Sequence, residues 1–348
     1  MLSVPECNRA ITQARCLKTP CRADSLLLVR MTQLGSTGLQ VSDLGLGTMT
    51  WGRDTDDHDA AEQLEMFIAA GGTFVDTASS FAGGLAQEIV GSLLASFAGH
   101  DIVVSAKSGG VADAERPFNN SRRWLLTDLA HTLQRLSVDR VDIWTVTGFD
   151  PYTPVTETLD TLAQAVTSGD AAYVGICNWP DTWVAHAVSY LQTVHRMPLA
   201  CVQAEYSLVN RSAERLLIPY LDQQAVSLVA WSALGRGTLT GKYRFGTPAD
   251  SRAASAHLRD FVGPYLGGDS ATVVEAVCAA ADGLAVSPID VALAWLRART
   301  SVACALLGAR TSAQLRGILN GAVIDLPREL IDALDEVSNS AKHREESA

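Results

Sequence analysis

No apolar run in this 348-residue chain approaches the length of about 18 residues that a bilayer crossing needs, so no segment reads as a membrane span. Basic charge is scarce as well: 27 Lys and Arg stand against 38 Asp and Glu, a net charge of -11. A nucleic-acid surface needs clustered cations, and this chain lacks them. The cysteines (Cys7, Cys16, Cys21, Cys177, Cys201, Cys278, Cys304) are odd in number and scattered, with no CxxC pair and no zinc-ligand spacing. They exclude a disulfide framework, give no metal site, and read as reduced thiols of a cytoplasmic protein. What is left is an ordinary globular composition whose expected partner is a small molecule.

Residues 1–30 stand apart, with five basic residues (Arg9, Arg15, Lys18, Arg22, Arg30) and no sustained periodicity. They read either as a disordered extension or as an over-extended start, because well-patterned sequence begins at Met31. Residues 31–340 are expected to form one domain and residues 341–348 a tail.

From Met31, QLGSTGLQVS predicts two short strands around a Ser-Thr-Gly turn, a hairpin ahead of the main fold. Apolar strand-like runs and helical patterns then alternate. Strands are expected at 44–49, 73–76, 101–107, 141–146, 171–177, 199–204, 226–231 and 302–307, with helical spacing following seven of them. Continuous apolar strands joined by helical crossovers imply a closed parallel (β/α)8 TIM barrel, buried on both faces of the sheet. The competing open doubly wound sheet usually carries GxGxxG after its first strand, and none follows LGLGTM. One stretch breaks the rhythm: Ser232 to about Asp269, after the seventh strand, reads as a long loop of the kind that carries function.

Barrels assemble their sites at the C-terminal ends of the strands. Those ends hold Met49, Thr50 and Trp51, then Asp76, Lys107, Thr147, Asn178, Gln203 and Trp231, with Gly308 and Arg310 after the last strand. One acid and one lysine there close otherwise apolar strands. No histidine falls at a strand end. Cys177 has nothing basic beside it in sequence and reads as a packing residue rather than a reactive thiol.

The motifs GTMTWG (47–52), FVDTASSF (74–81), VVSAK (103–107), NNSRRWL (119–125), VGICNW (174–179), VQAEYSLVNR (202–211), WSALGRGTLTGKY (231–243) and GARTSAQL (308–315) occur in one order. In that order the chain resembles the aldo-keto reductase superfamily from about Met31 to Val337. The resemblance implies NADP(H) lying across the strand ends of a barrel, without a Rossmann fold. It assigns Asn178 and Gln203 to the nicotinamide carboxamide, Trp231 to the nicotinamide ring, and Ser232, Leu234 and Arg236 to the pyrophosphate. Thr50, Gly308 and Gln314 join the cofactor-binding set. Arg310 is assigned to the 2'-phosphate, where a guanidinium gives bidentate recognition. Trp51, Phe81 and Trp144 are expected to line the substrate pocket.

Family members reduce carbonyls with an aspartate, a tyrosine, a lysine and a histidine. Asp76 and Lys107 match two of these, whereas Phe81 stands at the tyrosine position and Thr147 at the histidine position. A phenyl ring has no proton to give, and a threonine hydroxyl is a far weaker acid than a tuned phenol. The adenosine end departs too: Gly317 and Ile318 replace a usual Glu-Asn pair, and Asp170 ends what is usually a basic SGK turn. The resemblance therefore implies an oxidoreductase with altered proton chemistry, acting on a small carbonyl or activated double bond, or an inactive NADPH-binding sensor or partner protein.

Overall fold

A computed structural model describes residues 29–111, 115–249, 251–321 and 324–339. The expectations for most of the N-terminal extension and for the tail fall on residues outside these.

Strands β1 (Met31–Gln33) and β2 (Gln40–Ser42) pair antiparallel as the predicted hairpin. The next eight strands close into a barrel: β3 (Leu44–Gly47), β4 (Phe74–Ala78), β5 (Val103–Ser108), β6 (Val141–Thr147), β7 (Ala171–Cys177), β8 (Cys201–Glu205), β9 (Ser227–Trp231) and β10 (Val302–Leu307). They follow one another in sequence order around the barrel, β10 pairing back onto β3. Every pairing within it is parallel.

Between them run α1 (Asp57–Ala69), α2 (Leu85–Ser96), α3 (Arg122–Leu136), α4 (Val155–Ser168), α5 (Asp181–Val194) and α6 (Leu217–Gln224). Side-chain chemistry sets several of their starts: Asp56 accepts from the Asp59 amide at 2.8 Å ahead of α1. The stretch after β9, expected as one loop, holds a 3₁₀ turn (Gly235–Thr240) and the short α7 (Arg259–Val262). It is followed by α8 (Asp269–Leu284) and α9 (Pro288–Arg297), the latter opened by a reciprocal Ser287–Asp290 cap with Pro288 at its first position. Helices α10 (Ser312–Leu319) and α11 (Arg328–Asn339) complete the chain. Among the described residues no single helix is long and apolar enough to cross a membrane.

Because side chains alternate across a strand, parity decides which residues face the barrel interior. Phe74, Val103, Ile143, Cys201, Val229 and Cys304 pack together inside, joined by Leu34 and Val41 of the hairpin. Their neighbours one step on, such as Val75, Val104, Trp144 and Val202, pack outward against the helices. The hairpin seals the end where the strands begin: Thr32 Oγ1 donates to the Ala303 carbonyl at 2.7 Å, and the Gly35 amide to Ser227 Oγ at 2.7 Å. Gly35 is required at that approach. Its φ is +59°, and a Cβ there would stand 2.7 Å from the Ala200 carbonyl oxygen. Two residues further along the interior parity, Asp76, Ser105, Thr145 and Gln203 replace apolar side chains on four of these strands.

Candidate active site

Among the interior residues that follow the apolar plug are Asp76, Ser105 and Gln203, and all three are buried. Ser105 Oγ donates to Asp76 Oδ1 at 3.1 Å, and Gln203 Nε2 donates to the same oxygen at 2.9 Å and to Ser105 Oγ at 3.2 Å. The other carboxylate oxygen, Oδ2, is paired with Lys107 Nζ. One step further on, Lys107, Thr147, Cys177, Asn178 and Trp231 face a cavity of about 640 Å³ at the mouth of the barrel, a size typical of small-ligand sites.

Phe81 opens a 3₁₀ turn after β4 and lies on the same cavity, with Lys107 Nζ 4.9 Å from its ring centroid, within cation–π range. Thr147 is the register partner of Cys177 across the β6–β7 pair, and burial pushes the Cys177 thiol pKa up to about 11. At pH 8 a group with that pKa is about 0.1 % thiolate, and the thiolate is the nucleophile. Alkylation of the native protein with iodoacetamide at pH 8, followed by peptide mapping, is therefore expected to leave Cys177 unmodified under conditions that label it fully in urea. Equal labelling in both states contradicts the thiol's burial.

Backbone geometry at the mouth is unusual. Asn178 (φ 57°), Ser232 (φ 55°) and Arg236 (φ 58°) are left-handed non-glycine residues, and such strain gathers at functional sites. The left-handed turn aims the Asn178 side chain at Trp231, whose indole Nε1 donates to Asn178 Oδ1 at 2.9 Å. Arg236 lines the cavity, but its guanidinium is engaged: Nε donates to Glu205 Oε1 at 2.8 Å, and Phe261 lies across it at 4.2 Å. It fastens the loop after β9 to the end of β8.

Two more guanidinium groups face the cavity, Arg310 and Arg252. Arg252 donates to the Gly308 carbonyl at 3.0 Å. Burial holds its pKa below the ordinary guanidinium value, and the positive charge of Arg310 adds to the effect. Asp54 Oδ1 stands 3.9 Å from Arg310. Gln314 lines the same wall, its Oε1 accepting from the Arg310 amide at 3.0 Å.

The cavity brings together Asp76, Phe81, Lys107, Thr147, Asn178, Trp231, Ser232, Leu234, Arg236, Gly308, Arg310 and Gln314. Four residues are placed otherwise. Trp144 is three positions from Thr147 on β6, hence of outward parity, and is buried against the helices with its Nε1 donating to Ser108 Oγ. Trp51 is fully buried, its Nε1 donating to Gln63 Oε1 at 3.2 Å, so neither tryptophan lines the pocket. Thr50 is buried behind the wall, where its hydroxyl donates to the Ala309 carbonyl at 3.0 Å and braces the segment carrying Arg310. Gln203 lies beneath the cavity, with its amide NH2 directed at Asp76 and Ser105.

Arg252, Lys242 and Phe261 also line the cavity, and sequence reading did not single them out. The only signal available was the length of their loop. Among the described residues no tyrosine or histidine lines it. Tyr206 is buried elsewhere, donating to Glu214 Oε1 at 2.7 Å, and Tyr152 is exposed.

A profile described as the aldo/keto reductase family matches residues 43–339. The chain is 31% identical over 323 residues to a protein of Oryza sativa subsp. japonica named a probable voltage-gated potassium channel subunit beta, a match covering 90% of this chain and 98% of the rice protein. It is similar in structure to a thermostable aldo-keto reductase crystallised in complex with the inhibitor epalrestat. That likeness has a TM-score of 0.71 at 28% identity and covers 88% of this chain and 99% of the other.

Proposed function

The chain belongs to the aldo/keto reductase family, and on that premise we propose that it is a cytoplasmic oxidoreductase that binds NADP(H) and reduces a small carbonyl or activated double-bond compound by altered proton chemistry. The observation that carries this reading is a single cavity lined both by the buried Asp76–Lys107 pair and by the guanidinium groups of Arg310 and Arg252. The donor set fits the cofactor. Arg252 and Arg310 line the same cavity, and a 2'-phosphate is the kind of anion that two guanidinium groups hold by charge-assisted hydrogen bonds. Asn178, its oxygen held by Trp231, has its amide NH2 to offer a carboxamide carbonyl, and Trp231 supplies an aromatic face. Gln203 contributes indirectly, by holding Asp76.

The bound nicotinamide supplies the hydride. The residues of this chain then have to stabilise charge on the acceptor and admit a proton. Lys107 Nζ and Thr147 Oγ1 are the two neutral-or-cationic donors that line the cavity beside Asp76. Phe81 closes that part of the cavity with an apolar ring and confines proton entry to Lys107, Thr147 or water. An acceptor whose reduced form is already a stabilised anion, such as an enone or a quinone, makes the least demand on such a site.

A second reading, a binding protein without turnover, is favoured by the lack of a phenol or imidazole among the described cavity residues. The rice relative, named as a channel subunit, is in keeping with it. Two measurements separate the readings. Titration with NADPH is expected to quench tryptophan fluorescence, with the quench largely lost in Trp231→Phe, and Arg310→Met is expected to weaken NADPH about 10- to 100-fold while leaving NADH nearly unchanged. Absorbance at 340 nm with aldehydes, quinones and enones then tests turnover; tight NADPH binding with no oxidation by any class refutes the enzyme reading.

A further inference from the structure

We infer that the nucleotide site is blind to the base: it selects the ribose 2'-phosphate and does not distinguish adenine from hypoxanthine. This rests on the NADP(H) reading above. Adenine is joined to the ribose that bears the 2'-phosphate, so a phosphate at Arg310 puts the base against the elements next to Arg310. Among those elements is one stripe of α10: Ala313, Gln314, Gly317 and Ile318 line the cavity with Arg310, and the spacing of these four residues by one, three and four puts them on one helix face.

The stripe carries little hydrogen-bonding chemistry. Ala313 and Ile318 are apolar and Gly317 has no side chain. Gln314 is the exception, and its Oε1 accepts from the Arg310 amide, which turns the NH2 outward as a donor. Pro248 and Ile289, also on the cavity, add only apolar surface. Adenine differs from hypoxanthine at position 6, an amine donor against a carbonyl acceptor, and at N1. Reading that difference takes an acceptor for the amine or a donor held at N1 or position 6, and among the described residues the stripe offers no side-chain acceptor. The Gln314 NH2 is a donor that N7 accepts equally in both bases. Base burial is then held by apolar contact, which both purines offer alike.

Gly317 gives the means of testing this. A Cβ built there meets nothing within 4 Å, and the residue lies inside a helix, where a side chain is tolerated better than glycine. Gly317→Glu therefore adds a carboxylate acceptor to the base-facing stripe from an open Cβ position. Full-length wild type, Gly317→Ala and Gly317→Glu are titrated with NADPH and with its hypoxanthine analogue, by tryptophan fluorescence. Wild type and Gly317→Ala are expected to bind the two within about threefold, and Gly317→Glu to favour NADPH by about tenfold or more, the value of one charge-assisted hydrogen bond.

A wild-type preference for NADPH above tenfold overturns base blindness and leaves the cofactor reading standing. Failure of Gly317→Glu to separate the two ligands overturns the placement of the base on α10. If neither dinucleotide binds the wild type, the cofactor reading fails and base blindness fails with it.

Discussion

Replacing Phe81 with tyrosine and Thr147 with histidine together raises the rate of NADPH-dependent carbonyl reduction by about 10²- to 10⁴-fold, the usual contribution of a positioned general acid. Phe81 lies on the cavity with the Lys107 ammonium 4.9 Å from its ring centroid. A phenol there acquires a cationic neighbour, which favours its ionised form and so makes it a better proton donor. Thr147, on the interior parity of β6, faces the same space, so an imidazole there is able to orient a carbonyl oxygen. Each single replacement is expected to gain less than the pair, since donor and orienting group act on one oxygen. Steady-state kinetics on an aldehyde series checks the result. An unchanged rate in a double variant that still binds NADPH shows that the pocket has diverged beyond these two positions.

Lys107→Met is expected to destabilise the fold by about 3–5 kcal/mol, the cost of leaving one member of a buried ion pair uncompensated. The Lys107 and Asp76 side chains are only 8% and 4% exposed, so water cannot take over the role of the lost ammonium. Adding Asp76→Asn removes the stranded charge. The new amide oxygen still accepts from Ser105 and Gln203, the partners of Asp76 Oδ1, and the double variant is expected to recover most of the loss. Urea unfolding of the wild type, the single variant and the double variant measures both steps. Equal destabilisation in the single and double variants places the cost in lost packing of the lysine stem rather than in the unpaired carboxylate.

The barrel was legible because eight apolar runs recur between helical patterns, and a buried parallel sheet requires that pattern. The site was legible where parity and position agree: Asp76, Lys107, Thr147 and Trp231 lie in the C-terminal parts of their strands on the interior face. Trp144 shows the opposite case. It is close to Thr147 in sequence, yet an odd separation along a strand sends it to the other side of the sheet, a conclusion that strand parity alone supplies. Trp51 and Thr50 lie beyond the end of β3, where no period governs direction. Gln203 has the right parity but stops one layer short, held by Asp76 and Ser105. Arg252 lies in the long stretch after β9, where only tertiary packing decides which side chain reaches the cavity.

The hairpin that seals the barrel fixes more than the interior packing. Chain entry at residue 30 lies at the closed end, bound to the starts of β9 and β10 through Gly35 and Thr32, while the cavity opens at the far ends of the same strands. An affinity handle or a fluorophore fused ahead of Met31 therefore hangs on the pole away from the ligand. A protein captured on a sensor chip by that handle presents its mouth to the flowing solution, so real-time ligand injections can be run on it without the anchor shadowing the entrance.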